Sequence, residues 1–371
     1  MRSMSDTLAR LSKLRGMHGN SWPSSSTPSS TQSSLAELAD FGSNPAGLEA
    51  RLFVPTQRQQ RAGLVVVLHG CTQNAAAYDH GSGWSKLAED YGFVVLYPQQ
   101  TRQNNANTCF NWFVPGQIRR DEGEALSIRQ MIDAAVKRHD IDPSRIFVTG
   151  LSAGGAMANV MLATYPEVFA GGSIIAGLPY GCAGTVPEAF DRMRGHGLPK
   201  PASLQAQLRQ ASRHKGPWPT ISVFHGADDK TVVPANGDSI VTQWQGVHEI
   251  RPGEATVELR DGHRMSSWKN SDGMVVVEQI VVAGMGHGTP IDPAEGYGHS
   301  APYMLDVGLS STLHCARSWG LMPSFDKRSR KSPDRAPDVH ASAATDDLPP
   351  AQGNGIQKII EDALRSAGLM K

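Results

Sequence analysis

Short apolar runs alternate with longer helical patterns between residues 47 and 322. Residues 63–68 and 93–97 are continuous in Val, Leu and aromatic residues, which is typical of strands covered on both faces. The same reasoning predicts strands at residues 146–149, 172–176, 221–225 and 275–282, and helices at residues 84–91, 122–139, 152–164 and 304–317. This alternation predicts the α/β class, with a mostly parallel sheet and helices on both faces.

The flanks of this region have a different composition. Residues 1–46 are predicted to form an amphipathic segment followed by a Ser- and Pro-rich linker, and residues 323–354 a disordered linker. Residues 355–371 place Ile356, Ile359, Ile360 and Leu364 on one face of a predicted helix. We expect this helix to dock on its own domain or, alternatively, on another protomer. The main domain is therefore predicted to span residues 47–322.

Charge and composition exclude several classes of function. The 371 residues carry 35 Lys and Arg against 35 Asp and Glu, which gives no electrostatic argument for a nucleic-acid partner. No apolar run approaches the length of a membrane span. The four cysteines show neither a Cys-x-x-Cys pair nor metal-ligand spacing, and we expect no metal and no cofactor.

The pentad Gly150-Leu151-Ser152-Ala153-Gly154 supplies a candidate nucleophile. A predicted strand enters it and a predicted helix leaves it, which is the context that a nucleophile elbow requires. The helix N-terminus would then direct backbone N–H groups at an oxyanion formed beside Ser152. The alternative is a tight turn that carries a serine by chance, and the flanking strand and helix favour the nucleophile.

An α/β-hydrolase presents its catalytic triad in the chain order Ser, acid, His. The loop after the predicted strand at residues 221–225 offers Asp228 and Asp229, and we choose Asp229 over the alternative of a solvated acidic loop. His287 follows the strand at residues 275–282 on a glycine-rich backbone and is the predicted base. Its rival, His299, has no strand leading directly into it. The sequence thus predicts the α/β-hydrolase fold.

The loop after an early strand normally completes the oxyanion hole. Here the strand at residues 63–68 runs into His69-Gly70-Cys71, so the backbone N–H groups of Cys71 and Ala153 are the predicted donors. His69 and His225 both precede a glycine at a strand end. We expect these two rings to be buried supports of their turns rather than catalytic groups.

Several segments together resemble the polyhydroxybutyrate depolymerase family of esterases, which is related to feruloyl and acetylxylan esterases. They are H-G-C-T-Q, C-F-N-W-F, G-E-A-L-S-I-R-Q-M, G-L-S-A-G-G-A-M, A-G-L-P-Y-G-C-A, H-G-A-D-D-K-T-V and G-M-G-H. The resemblance spans about residues 47–322. It implies a serine esterase with Ser152 as nucleophile, Asp229 as orienting acid and His287 as base.

The resemblance also implies a substrate and a location. The expected substrate is a short-chain poly- or oligo-hydroxyalkanoate ester, cleaved through an acyl-enzyme. Alternatives are a feruloyl or acetylxylan esterase, or a non-catalytic binding protein with a hydrolase fold. Many family members are secreted, which implies an extracellular enzyme, whereas residues 1–17 lack the continuous apolar stretch of a secretory signal and leave a cytoplasmic location as the alternative.

Three aromatic residues and two cysteines complete the predicted site. Phe110, Trp112 and Phe113 are candidates for the apolar wall of the substrate pocket, with core packing as an equal alternative. From the family's frequent export we expect a disulfide between Cys71 and Cys109, and two free thiols in a reducing compartment are the alternative. The other two cysteines, Cys182 and Cys315, are left unpaired or undecided.

Overall fold

A ten-stranded sheet organises the computed structural model, which describes residues 34–250 and 253–322. In chain order the strands are β1 (Ala36–Glu37), β2 (Glu49–Phe53), β3 (Ala62–Leu68), β4 (Val94–Gln99), β5 (Ile141–Leu151), β6 (Gly171–Ile175), β7 (Thr220–Gly226), β8 (Thr256–Arg260), β9 (His263–Lys269), β10 (Val275–Val282), β11 (Thr289–Ile291) and β12 (Met304–Asp306). The order across the sheet is β1-β2-β4-β3-β5-β6-β7-β10-β9-β8. Strands β11 and β12 pair separately and in parallel.

The six central strands, from β4 to β10, run parallel to one another. Antiparallel strands extend both margins, with β2 and β1 on one side and β9 and β8 on the other. All seven residues of β3 are buried, as expected for a strand that is covered on both faces. The prediction of an α/β-hydrolase fold with a mostly parallel sheet is confirmed.

Helices cover the sheet on both faces. They are α1 (Ala75–Ser82), α2 (Trp84–Tyr91), α3 (Pro115–Ile118), α4 (Gly123–His139), α5 (Ala153–Thr164), α6 (Val186–Met193), α7 (Pro201–Gln210), α8 (Ala235–Gln245) and α9 (Ser311–Ser318). Side-chain caps mark the start of α1, α6 and α9. The side chain of Asn74, for example, accepts the backbone N–H of Ala77 at 2.8 Å and so caps the start of α1.

The alternation of side chains along a strand divides the core into two layers. Leu64 and Val66 of β3 lie in one hydrophobic cluster with residues of α4, α5 and α8. Val65 and Val67 lie in the other, with residues of α1, α2 and α9. Successive residues of a strand point to opposite faces, so both layers require the continuous apolar run that predicts this strand.

The carboxyl-terminal part of the domain departs from the prediction. Residues 304–317 are not one helix, because β12 occupies their start and α9 begins only at Ser311. Gly308 has a positive φ of 66°, and the Ser310 hydroxyl caps α9 by accepting the Leu313 N–H at 3.2 Å. The hairpin formed by β8 and β9 is not among the predicted elements, although Asp261-Gly262 is a strong signal for its turn.

The described part of the chain adds residues ahead of the predicted domain start at residue 47. Strand β1 pairs with β2, and the side chains of Leu38 and Ala46 are buried in the core. The rest of the predicted N-terminal segment, the linker at 323–354 and the helix at 355–371 lie outside the described residues. Among the described residues, no helix has the length and apolar character needed to span a bilayer.

Candidate active site

The carboxyl ends of β3, β5, β7 and β10 meet at one edge of the sheet because these strands are parallel. A cleft opens there. Three predicted residues from three different loops border it, namely Cys71, Ser152 and His287. The fold therefore brings the predicted donor loop, nucleophile and base to one cavity.

Ser152 occupies a sharp turn between β5 and α5. Its backbone has φ +57° and ψ −118°, a conformation that non-glycine residues adopt only where the surroundings enforce it. A Cβ at Gly154 would lie 2.3 Å from the Leu68 carbonyl oxygen, so a larger residue does not fit there. The N–H of Ser152 donates to the Ile175 carbonyl at 2.9 Å and pins the turn to β6.

Ala153 is the first residue of α5, and its N–H therefore has no acceptor in the helical ladder. The positive end of the helix dipole lies at the same place. The Ala153 N–H is consequently suited to receive negative charge that develops beside Ser152.

Asp229 and His287 are joined by a hydrogen bond of 2.7 Å between His287 Nδ1 and Asp229 Oδ2. The other carboxylate oxygen of Asp229 accepts the N–H groups of Thr231 and Val232, both at 2.9 Å. Asp229 is buried, whereas Asp228 is exposed. Because a carboxylate can only accept, Nδ1 carries the proton and the lone pair of Nε2 is free for proton transfer in the cleft.

The rival histidine lies elsewhere in the structure. His299 is exposed, and its ring stacks on that of His80 with the centroids 4.6 Å apart. Within the part of the chain that the structure describes, His299 does not border the cleft. The ring facing the cleft is His287, which packs edge-on against Tyr303 with the centroids 6.3 Å apart.

His69 is a buried support of the donor loop. Its Nδ1 donates to the Gly70 carbonyl at 2.8 Å, and its Nε2 accepts the Gln100 N–H at 3.1 Å. Both ring nitrogens are therefore engaged, and burial lowers the pKa of the imidazole to about 4. These contacts agree with a structural rather than catalytic ring.

His225 supports the acid loop in a similar way. It is buried, its Nε2 donates to the Val232 carbonyl at 2.7 Å, and the same nitrogen lies 3.6 Å from Asp229 Oδ2. Burial holds the pKa of this imidazole below its usual value. Among the described residues its Nδ1 has no hydrogen-bond partner. A neutral ring thus packs behind the carboxylate that orients His287.

The donor loop is tied to a distant segment of the chain. Cys71 and Cys109 form a disulfide, with the two sulfur atoms 2.09 Å apart. The Thr72 N–H donates to the Asn107 carbonyl at 2.7 Å, and the Gly70 N–H donates to Gln73 Oε1 at 2.9 Å. The backbone on both sides of Cys71 is therefore fixed. Cys182 and Cys315 are free and buried.

For the three aromatic candidates Phe110, Trp112 and Phe113, the structure favours the alternative of core packing over a pocket wall. Phe110 is fully buried at 0% exposure and packs on the ring of His69, so it cannot line a substrate pocket. Trp112 is buried in a small cluster with Ala153, and Phe113 packs against that cluster. In the described part of the chain none of the three aromatic residues borders the cleft.

Other residues form the walls of the cleft. Leu151, Met193 and Tyr303 supply apolar surface, while Thr72 and Thr231 add polar groups. Met193 ends α6 and Tyr303 precedes β12, two elements that carry no recognisable sequence signal for a pocket. The positive φ of Tyr303, 66°, marks it in the structure as a residue held in an uncommon conformation.

Within residues 34–250 and 253–322, no group of three or more His, Cys, Asp or Glu side chains is placed to hold a metal ion. The arrangement of Ser152, His287 and Asp229 is suited to nucleophilic attack on a carbonyl carbon, with the Ala153 N–H nearby.

The chain is similar to known esterases over most of its length. The family described as Esterase PHB depolymerase matches residues 48–262. Poly(3-hydroxyalkanoate) depolymerase C of Paucimonas lemoignei is 44% identical over 299 residues, which are 79% of this chain and 72% of that protein.

Acetylxylan esterases are similar at lower identity. Acetylxylan esterase A of Aspergillus oryzae is 32% identical over 268 residues, or 70% of this chain and 85% of that protein. The solved structure of an acetyl xylan esterase from Aspergillus awamori matches with a TM-score of 0.65 and 27% identity, over 71% of this chain and 97% of that chain. The protein is a carboxylic ester hydrolase and belongs to the Esterase PHB depolymerase family.

Proposed function

We propose that the protein is a serine esterase that hydrolyses poly- or oligo-hydroxyalkanoate esters. The observation that carries the proposal is the 2.7 Å bond from His287 to a buried Asp229, in the cleft that Ser152 borders. A pure binding protein needs neither this bond nor a serine in a strained elbow. The 44% identity to a poly(3-hydroxyalkanoate) depolymerase favours this ester class.

The proposed reaction begins with proton transfer from Ser152 Oγ to His287 Nε2 as the oxygen attacks the ester carbon. The resulting tetrahedral oxyanion accepts hydrogen bonds from the Cys71 and Ala153 N–H groups. His287 then gives its proton to the leaving alkoxide, and an acyl-enzyme remains on Ser152. Water, deprotonated by His287, attacks this ester in turn, releasing the acid and restoring Ser152. Asp229 stabilises the imidazolium throughout.

An acetylxylan esterase is the second candidate. The chain is 32% identical to acetylxylan esterase A of Aspergillus oryzae, and its fold matches an acetyl xylan esterase structure with a TM-score of 0.65. The cleft, however, has apolar walls from Leu151, Met193 and Tyr303. Apolar walls suit an acyl chain with a branching methyl group better than the small acetyl group on a polar sugar.

We further propose that the enzyme acts outside the cytoplasm. The disulfide between Cys71 and Cys109 supports this location, because such bonds persist in oxidising compartments and are rare in the cytosol. Non-reducing peptide mapping of protein from its native compartment tests the proposal. Recovery of both thiols in reduced form would assign the protein to the cytoplasm.

Replacing the nucleophile tests the proposed chemistry. Ser152→Ala should lower kcat on a p-nitrophenyl short-chain ester by about 10⁴-fold or more, because the variant lacks the Oγ on which the proposed acyl-enzyme forms. Ser144→Ala, at an exposed site, is the matched control and should leave kcat unchanged. Normal turnover by the Ser152 variant would refute the assignment.

A substrate panel separates the candidate functions. Hydroxybutyrate trimers, acetylated xylan and methyl ferulate are hydrolysed in parallel, and a fluorophosphonate probe reports whether Ser152 is reactive at all. We expect labelling and the highest kcat/KM on the hydroxybutyrate trimer. A higher kcat/KM on acetylated xylan would favour the second candidate, and failure to label would indicate a binding protein.

A further inference from the structure

Glu124 is a buried carboxylate that the proposed reaction does not use. It lies in the first turn of α4 with 0% exposure. Its carboxylate accepts three hydrogen bonds, from Gln100 Nε2 at 2.7 Å, the Asn111 N–H at 2.9 Å and Asn111 Nδ2 at 2.6 Å. All three partners are donors, so the ionised carboxylate satisfies each of them.

The contacts of Gln100 lead from Glu124 to the donor loop. The Gln100 N–H donates to His69 Nε2 at 3.1 Å, and His69 Nδ1 in turn donates to the Gly70 carbonyl at 2.8 Å. Gln100 Nε2 also donates to the Cys109 carbonyl at 3.1 Å. Gln100 thereby fixes both the turn before Cys71 and the residue to which Cys71 is disulfide-bonded.

The contacts of Asn111 form a second path to the same loop. Its Oδ1 accepts a hydrogen bond from Asn105 Nδ2 at 3.1 Å. Asn105 Oδ1 accepts the N–H groups of Asn107 at 3.0 Å and Cys109 at 3.2 Å. The Asn107 carbonyl accepts the Thr72 N–H at 2.7 Å. Both paths from Glu124 therefore end on residues adjacent to Cys71.

The surroundings of the carboxylate are neutral. Gln100 approaches from the end of β4 and Asn111 from the connection before α3, while Gln117 of α3 accepts the backbone N–H of Glu124. The nearest titratable ring along the network is His69, and burial keeps it neutral. Burial without a cationic partner raises the pKa of Glu124 to about 7. A carboxylate retained in such a place needs the three donors that hold it.

We propose that Glu124 is a positioning residue for the oxyanion hole: its carboxylate holds residues 100–111 in the conformation that directs the Cys71 N–H into the cleft. The inference rests on the proposed function, in which that N–H stabilises the tetrahedral oxyanion. A displaced donor weakens transition-state binding and leaves ground-state binding intact. Loss of Glu124 should therefore lower kcat and leave KM nearly unchanged.

Glu124→Gln is the first test variant, because the amide keeps the shape of the side chain but presents an NH₂ group to at least one of the three donors. The exposed Glu122, directly before α4, provides the matched control Glu122→Gln. Active sites are counted by fluorophosphonate labelling carried to completion. We expect kcat per labelled site to fall about 10- to 100-fold for Glu124→Gln, with KM within about twofold. The control should match the wild type.

A second variant tests the same network without changing a fully buried side chain. Asn105 is partly exposed, and Asn105→Ala cuts the path from Asn111 to Asn107. We expect it too to lower kcat per labelled site with little change in KM. If Glu124→Gln does not fold, a wild-type kcat per labelled site for Asn105→Ala overturns the proposal.

The outcomes separate this inference from the proposed function. If Glu124→Gln lowers the melting temperature but keeps the wild-type kcat per labelled site, the network is merely structural and the positioning role is refuted. An inactive Ser152→Ala variant in the same assay would leave the proposed esterase chemistry intact. If Ser152→Ala is active, the proposed function fails first.

Discussion

The two halves of the active site are held in place by different means. In the acid–base half, Asp229 accepts N–H groups from Thr231 and Val232, two and three residues further along its own turn. In the donor half, Cys71 is bound through a disulfide to a residue 38 positions away. The carbonyl that accepts the Thr72 N–H belongs to Asn107, in the same distant segment.

The acid loop around Asp229 is stabilised by local hydrogen bonds, whereas the donor loop around Cys71 is stabilised by contacts with a segment distant in the sequence. The carboxylate of Asp229 is held mainly by its own turn, because both N–H groups that donate to its Oδ1 lie within three residues of it. The donor loop acquires its shape only when the connection between β4 and α3 has folded against it. We therefore expect changes in that connection to disturb the oxyanion donors while leaving the Asp229–His287 bond intact.

Disrupting the acid–base half of the site should cause the largest loss of kcat. Asp229→Asn keeps the size of the side chain but removes the acceptor that fixes the His287 tautomer, and kcat should fall about 10⁴-fold. Asp228→Asn, in the adjacent exposed residue, is the control and should change kcat less than about threefold. The measurement is kcat on a p-nitrophenyl ester at fixed pH. The reverse ranking would identify Asp228 as the acid.

Breaking the donor half should act on stability and on kcat together. Removing the disulfide in the double variant Cys71→Ser/Cys109→Ser releases a closed loop of 38 residues, worth at most about 4 kcal/mol of unfolding free energy in the chain-entropy model. Denaturant unfolding measures this loss, and kcat reports the freed donor loop.

Reductant provides the control for the disulfide. Dithiothreitol should bring the wild type to the stability and kcat of the double variant and should leave the double variant unchanged. Cys182 and Cys315 are already free thiols, so they are unaffected. A wild type that is indifferent to reductant in both measurements would contradict the role given to this bond.

The contrast between local and non-local organisation also explains which site residues the sequence could predict. Ser152, Asp229 and His287 each follow a strand directly or within a short turn, so the strand pattern and the chain order locate them. Met193 and Tyr303 border the cleft only because α6 and the segment before β12 fold back over it. No local sequence pattern predicts that these two segments fold over the cleft.

The environment of Phe110 is likewise something that the sequence could not determine. The sequence makes Phe110 a candidate for either a pocket wall or the core, and in the structure its ring packs against that of His69, directly after β3, with the centroids 5.1 Å apart. Whether an aromatic side chain faces a core or a cleft depends on which strand end lies opposite, and this is a tertiary property. The helix predicted at residues 304–317 failed for a related reason, because its first residues pair with β11.

Low pH should lower the free energy of unfolding, because His69, which supports the donor loop, has a lower pKa in the folded state than in the unfolded state. Burial lowers its folded-state pKa to about 4, so the unfolded chain takes up a proton near pH 6.5 while the folded chain does not. The contribution is fully present above pH 6.5 and is lost as the pH falls toward 4, on the order of 3 kcal/mol. Unfolding free energies measured across this range should show the slope.

Two substitutions test whether His69 causes this pH dependence of the unfolding free energy. His69→Gln removes the titrating ring and should flatten the pH dependence, whatever its effect on stability at pH 7. His196→Gln, at an exposed site, should leave the dependence unchanged. His225 and His248, whose pKa values burial also lowers, contribute to the slope that remains, and Glu124, whose pKa burial raises to about 7, opposes it. An unaltered slope in His69→Gln would show that His69 does not carry the acid sensitivity.

The smallest effect is expected outside both halves of the site, on the marginal strand β8. It pairs only with β9 within the described residues, and Leu259 on it is 79% exposed. Leu259→Lys should change the unfolding free energy by less than about 0.5 kcal/mol and leave kcat unchanged, since the side chain has little buried surface to lose. A charge on an edge strand also opposes association between strands. A loss above about 1 kcal/mol would mean that another segment or protomer covers β8 in solution, and a change in kcat would mean that this margin is coupled to the cleft.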